Sequence, residues 1–360
     1  MQDGLGVEEP PPRAIAAGAV LPPARDKPGA ARRLLYGINA RIPYSPRPVR
    51  PATALPAAIG LGIVVFGGIL ALRRRRRDDP AAAPAAHEAC VEAARRLNRA
   101  CGVLAFSVLA DSAIEHWRGS FHNPAMYVPL AVSSLTLGVS LHGTGDARPA
   151  AHAARDAVYA LAGMTALAGG GFHAYNVMKR PGWLSWHNLF YGAPLGAPWA
   201  LLLSGLLGVY AERVREASSG PAARVFGLPA GRALAALTAG GLAGTVAEAA
   251  LLHFRGAYHN PVMFVPVSLP PVAAIAAGVA AAAPGRAVCG FARIWLRLTA
   301  VLGFAGVAFH SLGVQRNMGG WRNWSQNLLN GPPLPAPPSF TGLALAGLAA
   351  LRLMDEHDDA

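Results

Sequence analysis

Across 360 residues the chain carries a net charge of +13, with 53% hydrophobic and only 14% charged residues. Two or three soluble domains of that total size would spread charge over their surfaces, so this balance excludes them. A nucleic-acid-binding surface is excluded too, because the cations fall between apolar runs and do not line one face with interleaved aromatics. Long stretches of Ala, Leu, Gly and Val, with charge confined between them, predict an all-α integral membrane protein in contact with a lipid bilayer.

Residues 1–54 are rich in Pro and Arg without an apolar period, which predicts a disordered segment. Residues 55–77 hold a short apolar run closed by five arginines, Arg73–Arg77, and predict an N-terminal transmembrane anchor with a cytoplasmic stop. A cytoplasmic linker follows over 78–95. Eight further spans are expected at about 98–115, 125–142, 156–175, 197–213, 233–253, 262–282, 293–312 and 339–354. Three cysteines, Cys90, Cys101 and Cys289, offer neither a disulfide framework nor a CxxC metal pair and are expected to pack as small buried residues.

Orientation follows from the cations. With Arg73–Arg77 inside and the chain alternating from there, the cations after residue 72 divide eighteen to the cytoplasmic side and six to the other, while the basic N-terminal tail, which would lie outside, weakens the bias slightly. That bias predicts a cytoplasmic C-terminus. The near-exclusive use of Arg over Lys points to a GC-rich bacterial source, and so to a bacterial inner membrane.

The spans repeat. Residues 114–129 (IEHWRGSFHNPAMYVP) align with 251–266 (LLHFRGAYHNPVMFVP) at an offset of 137, with nine of sixteen positions identical. At the same offset Asp111 meets Glu248, and Phe172-His173 meets Phe309-His310. Slightly further on, NLFYGAPLGAP (188–198) matches NLLNGPPLPAP (327–337). Ordered matches at nearly one offset predict two tandem four-helix repeats, 96–220 and 221–360. Four spans is an even number, so the repeats are parallel and their motifs share the periplasmic side.

Each repeat brings a carboxylate and several imidazoles toward that side. His116 and His173 in the first, and His253 and His310 in the second, end outward-running helices and are candidate ligands of a b-type haem. Arg118 and Arg255 follow the first histidine of each set by two residues and suit a haem propionate or another anion. His122, His259, Asp111 and Glu248 are candidates to complete a site for Cu, Fe or Zn. Each carboxylate is expected either to hold a proton or to bond an imidazole of its own repeat. Plainer roles compete. Asn123-Pro124 and Asn260-Pro261 fit helix caps, and Trp183, Trp186, Trp321 and Trp324 fit an interfacial belt. Met126 and Met263 fit packing, the two arginines fit bonds to exposed carbonyls, and the histidines fit interhelical ties. His142 and His152 have no counterpart in the second repeat and are expected to be incidental loop residues.

Four-helix units with paired histidines resemble cytochrome b-type membrane subunits in architecture alone, through no shared motif. The expected function is a haem- or metal-binding electron-transfer subunit, with a periplasmic redox protein and quinone as partners. A transporter with duplicated halves and a non-catalytic scaffold or assembly factor are the alternatives. No GxSxG, P-loop or dinucleotide fingerprint points to an enzyme.

Overall fold

The computed structural model describes residues 84–217, 224–225 and 227–358. The expected disordered segment, the membrane anchor and the linker up to residue 83 lie outside the described residues. Among the described residues, five helical stretches are long and apolar enough to cross a bilayer: Glu88–Arg118, Pro124–Gly145, Ala230–Arg255, Pro261–Ala282 and Arg286–Arg316. They make the chain a multi-pass membrane protein.

In chain order the helices are α1 (Pro84–Arg118), α2 (Val128–Gly145), α3 (Ala153–Met178), the short α4 (Trp186–Tyr191) and α5 (Ala197–Glu216). A two-stranded hairpin, β1 (Arg224–Val225) with β2 (Leu228–Pro229), leads into α6 (Ala230–Arg255). Then come α7 (Leu269–Ala282), α8 (Arg286–Arg316), the short α9 (Trp324–Asn330) and α10 (Pro338–Asp358). The expected spans that fall on α3, α5 and α10 are helices as well. Those three carry charge near one end, including Arg155, Glu212 and Arg352.

Packing closes two rings of four. In the first, α1 and α3 each pack against both α2 and α5. In the second, α6 and α8 each pack against both α7 and α10. Small residues permit the close approaches. A Cβ on Gly208 would stand 2.2 Å from the Tyr159 ring, and one on Gly347 would stand 2.9 Å from Leu296 and Thr238. Membrane helices gain no water-driven apolar effect, so such close backbone packing supplies much of the association.

One apolar core runs through both rings, from Leu97 and Leu104 on α1 to Leu343 and Leu351 on α10. The seam between the rings is uneven. α10 packs along α1, whereas α5 meets α6 over a much shorter stretch, where Leu203 approaches Gly241. Cys90, Cys101 and Cys289 are all buried and reduced.

Candidate functional site

The RG-SF-HNP and RG-AY-HNP segments fold identically. After α1, the Phe121 N–H donates to the His116 carbonyl (3.0 Å) and the Ser120 N–H to Trp117 (2.7 Å). After α6, Tyr258 donates to His253 (3.1 Å) and Ala257 to Phe254 (2.8 Å). This is a Schellman cap, but the left-handed positions normally given to glycine hold Ser120 (φ 57°) and Ala257 (φ 54°). Phe121 and Tyr258 are also left-handed, both at φ 44°. Stacked rings hold them there: Phe121 on Tyr127 at 4.5 Å and Tyr258 on Phe264 at 4.4 Å. The turn then enters a 3₁₀ segment whose Asn cap accepts from Ala125 or Val262 (both 3.0 Å), as the Asn-Pro pairs predict. Met126 and Met263 lay their methyl carbons over Gly119 and Gly256, where a Cβ would come within 2.9 Å.

Six histidines share one hydrogen-bonding arrangement. His116 Nδ1 lies 2.6 Å from the Met126 carbonyl, and His253 Nδ1 lies 2.7 Å from Met263. His173 meets Pro194 and His310 meets Pro333, both at 2.6 Å. The exposed His122 and His259 meet Gly119 (2.8 Å) and Gly256 (2.9 Å). A carbonyl oxygen has no proton to give, so every Nδ1 is the donor and every neutral ring keeps a lone pair on Nε2. That is how ligand histidines are normally held, with the far nitrogen bonded to a backbone oxygen. His116 is within electrostatic reach of His173 and His122, and His310 of His253. All four interior histidines are half-buried.

Arg118 and Arg255 reach across the seam. Arg118 Nε donates to Leu329 O in α9 (2.5 Å), while its Nη1 grips both Glu115 oxygens (2.6 and 2.7 Å). Arg255 Nη2 donates to Leu189 O in α4 (3.4 Å) and lies over the Phe190 ring at 5.2 Å. Aromatic contacts follow the same crossed pattern: Trp117 meets Trp324 at 6.2 Å, and Phe254 meets Phe190 at 5.8 Å. Trp183, Trp186, Trp321 and Trp324 are exposed, as interfacial rings are.

The carboxylates also belong to the seam. Glu248 turns to the Gly196 backbone at the start of α5, where a Cβ would fall 1.5 Å from Oε2. Asp111 has Glu115, Arg118 and Glu248 within electrostatic reach. Among the described residues, no group of three or more His, Cys, Asp or Glu is placed to hold a metal ion.

At the other end of the first ring lies a network of buried charge that sequence reading missed. Arg155 is fully buried and forks onto Glu212 through Nε and Nη2, both at 2.9 Å. Its Nη1 reaches Asp146 (2.8 Å) and His142 Nδ1 (3.1 Å). His142 sits in the last turn of α2 and not in a loop, while His152 lies just before α3 and donates its backbone N–H to Glu212 (2.8 Å). Arg148 and Arg155 hold the Asp146 carboxyl well below the usual range. Deeper in the same ring, Tyr159 donates to Asn98, and Ser140 and Ser204 each bond the Cys101 thiol. The signal available was the absence of these residues from the aligned positions of the second ring. The positions there that match Arg155, Glu212, Asn98 and Tyr159 hold Ala292, Leu351, Ala235 and Leu296, all buried. Comparison with protein-family models, curated proteins and solved structures returned no match.

Proposed function

We propose that the chain is an electron-transfer subunit of a bacterial inner membrane, made of two tandem, parallel four-helix units that each hold a b-type haem. One observation carries this reading. In each ring, two half-buried imidazoles come from helices that their neighbours separate, α1 with α3 and α6 with α8, and each has Nδ1 locked and Nε2 free. Two such ligands suffice for a haem, whereas a small metal ion of the zinc or copper type needs three or four. His116 with His173, and His253 with His310, are the ligand pairs. His122 and His259, exposed at the rim, shield or orient the group. When bound, the haem supplies one-electron chemistry. The protein's own part is to fix each ring's tautomer and angle through the Met126, Pro194, Met263 and Pro333 carbonyls, and to wall the site with Phe121 or Tyr258. The eighteen-to-six cation bias after residue 72 supports sites facing the periplasm and a cytoplasmic C-terminus, and the partners we propose are a periplasmic redox protein and the quinone pool. The carboxylates at the seam favour a second reading, a transporter whose halves move about Asp111 and Glu248.

An absorption spectrum of gently purified protein decides first: a Soret band is expected, with bis-imidazole features. His173→Ala and His310→Ala should each remove about half of the bound haem, nearly additively because the sites are separate. Wild-type protein free of haem after haem-replete expression would sink the proposal.

A further inference from the structure

Arg118 and Arg255 are gripped in a way that the histidine geometry of one ring alone does not explain. Each donates into the last turn of a short helix that belongs to the other ring: Leu329 O in α9 and Leu189 O in α4. The last carbonyls of a helix lack internal partners, and a cation there satisfies both the hydrogen bond and the negative end of the helix dipole. A six- or seven-residue helix has few bonds of its own to hold its angle, so an external cap matters more than on a long one.

The tether from each short helix to a histidine acceptor is also stiff. After α4 the chain passes Gly192, where a Cβ would stand 2.3 Å from Asn188 O, and reaches Pro194, whose carbonyl takes the His173 proton. After α9 it passes Gly331, where a Cβ would stand 2.4 Å from Asn327 O, and reaches Pro332 and Pro333, whose carbonyl takes that of His310. Asn188 and Asn327 pin the other end of each short helix by donating into the preceding loop, to Trp183 (2.9 Å) and Gly320 (2.8 Å). With the helix fixed at its start, the arginine at its end sets where the acceptor carbonyl stands.

We infer that Arg118 and Arg255 are crossed positioning residues, each holding the histidine of the opposite ring: Arg255 acts on His173 through α4, and Arg118 acts on His310 through α9. The bracing stands on the geometry; its consequence for haem rests on the function proposed above. The two braces differ in strength. Arg118 is itself anchored by Glu115, whereas Leu252 stands at the matching position before Arg255 and the buried Arg255 Nε has no hydrogen-bond partner. Loss of Arg118 therefore has the larger effect.

The test is made on the full-length chain in lipid nanodiscs, with diethyl pyrocarbonate modification followed at each histidine by peptide mass spectrometry. Arg255→Gln should raise the modification rate of His173 several-fold and leave His310 unchanged. Arg118→Gln should do the reverse by a wider margin. Lysine at either position keeps a donor and should restore much of the protection, which also serves if a glutamine variant fails to fold. In haem-loaded protein, Arg118→Gln combined with His173→Ala should lose nearly all haem, while combined with His310→Ala it should lose little beyond the single variant. Equal rises at both histidines, a rise in the arginine's own ring, or no change would overturn the crossed bracing. Crossed protection in a protein that never binds haem would uphold the bracing and sink the redox reading alone.

Discussion

At the residue scale, four half-buried imidazoles are each held by a main-chain carbonyl, those of Met126, Pro194, Met263 and Pro333. Paired His at one offset is visible in the letters. The acceptors of their protons are main-chain oxygens, which leave no mark on composition. The left-handed turn was hidden for a related reason: Ser120, Phe121, Ala257 and Tyr258 are not residues that announce a positive φ. Only the fold around them over-determines that conformation, through the stacked rings and the Schellman bonds. Ala257 at φ 54° pays a steric cost that glycine does not, and its Cβ is exposed. Ala257→Gly should therefore stabilise the protein by up to ~1 kcal/mol, less the extra freedom glycine brings to the unfolded chain. Gly256→Ala should be nearly neutral, because the new Cβ meets only the end of the flexible Met263 side chain and φ is not left-handed there. Unfolding in mixed micelles measures both, and a destabilised Ala257→Gly variant would remove the claim of strain at the turn.

At the element scale, arginines turn out to cap neighbouring helices throughout. Arg95 Nε donates to Thr144 O at the end of α2 (2.8 Å), and Arg232 Nε donates to Ala281 O at the end of α7 (2.7 Å), positions again 137 apart. Arg215 adds Gly143 O (2.8 Å) and Asp146 O (2.6 Å) in the first ring. Cations counted in the sequence as a topology signal are therefore also the C-caps of α2 and α7. What the letters did not reveal is that α3 and α5 bury charge against each other. A helix expected to cross a bilayer reads as apolar overall, and the charges at its ends look like those of the adjoining loops. The Arg155–Glu212 fork is fully buried on both sides. Removing one member of such a pair leaves an uncompensated charge and costs about 3–5 kcal/mol, whereas replacing the set with apolar residues of suitable volume is often neutral. The second ring shows an apolar solution at the matching positions, with Ala292, Leu351 and Met354. Glu212→Leu alone should destabilise the protein by roughly that amount. Arg155→Ala, Glu212→Leu and Arg215→Met together should cost less, since the buried charges leave together and Asp146 keeps Arg148, while the α2 carbonyls, His142 and the His152 backbone N–H each lose a partner. Thermal unfolding of the two variants compares them directly, and a triple variant worse than the single one would show that the charges do more than balance each other.

At the scale of the whole molecule, multi-pass membrane character was legible from composition, while the seam was not. Both copies carry the same arginine and the same short-helix segment, so the sequence is equally consistent with each arginine serving its own copy or the other. Only the packing of α10 along α1 and the position of α4 and α9 decide for the crossed arrangement. The orientation we propose has an independent test. Arg148 and Arg286 sit beside the ends of α2 and α7, and Arg224 lies in the β1–β2 hairpin between the rings. The histidine-bearing ends of α1, α3, α6 and α8 are followed instead by the segments holding Ser120, Lys179, Ala257 and Arg322. The excess of cations on the first side, set against the positive-inside bias, predicts that reporters fused near Arg148, Arg224 and Arg286 are active only in the cytoplasm. Reporters near Arg118, Lys179 and Arg322 should be active only in the periplasm. A periplasmic signal at Arg224 would reverse the orientation, bring the histidines to the cytoplasmic face and remove a periplasmic electron donor from the proposed function, while leaving the paired imidazoles and their crossed arginines as they are.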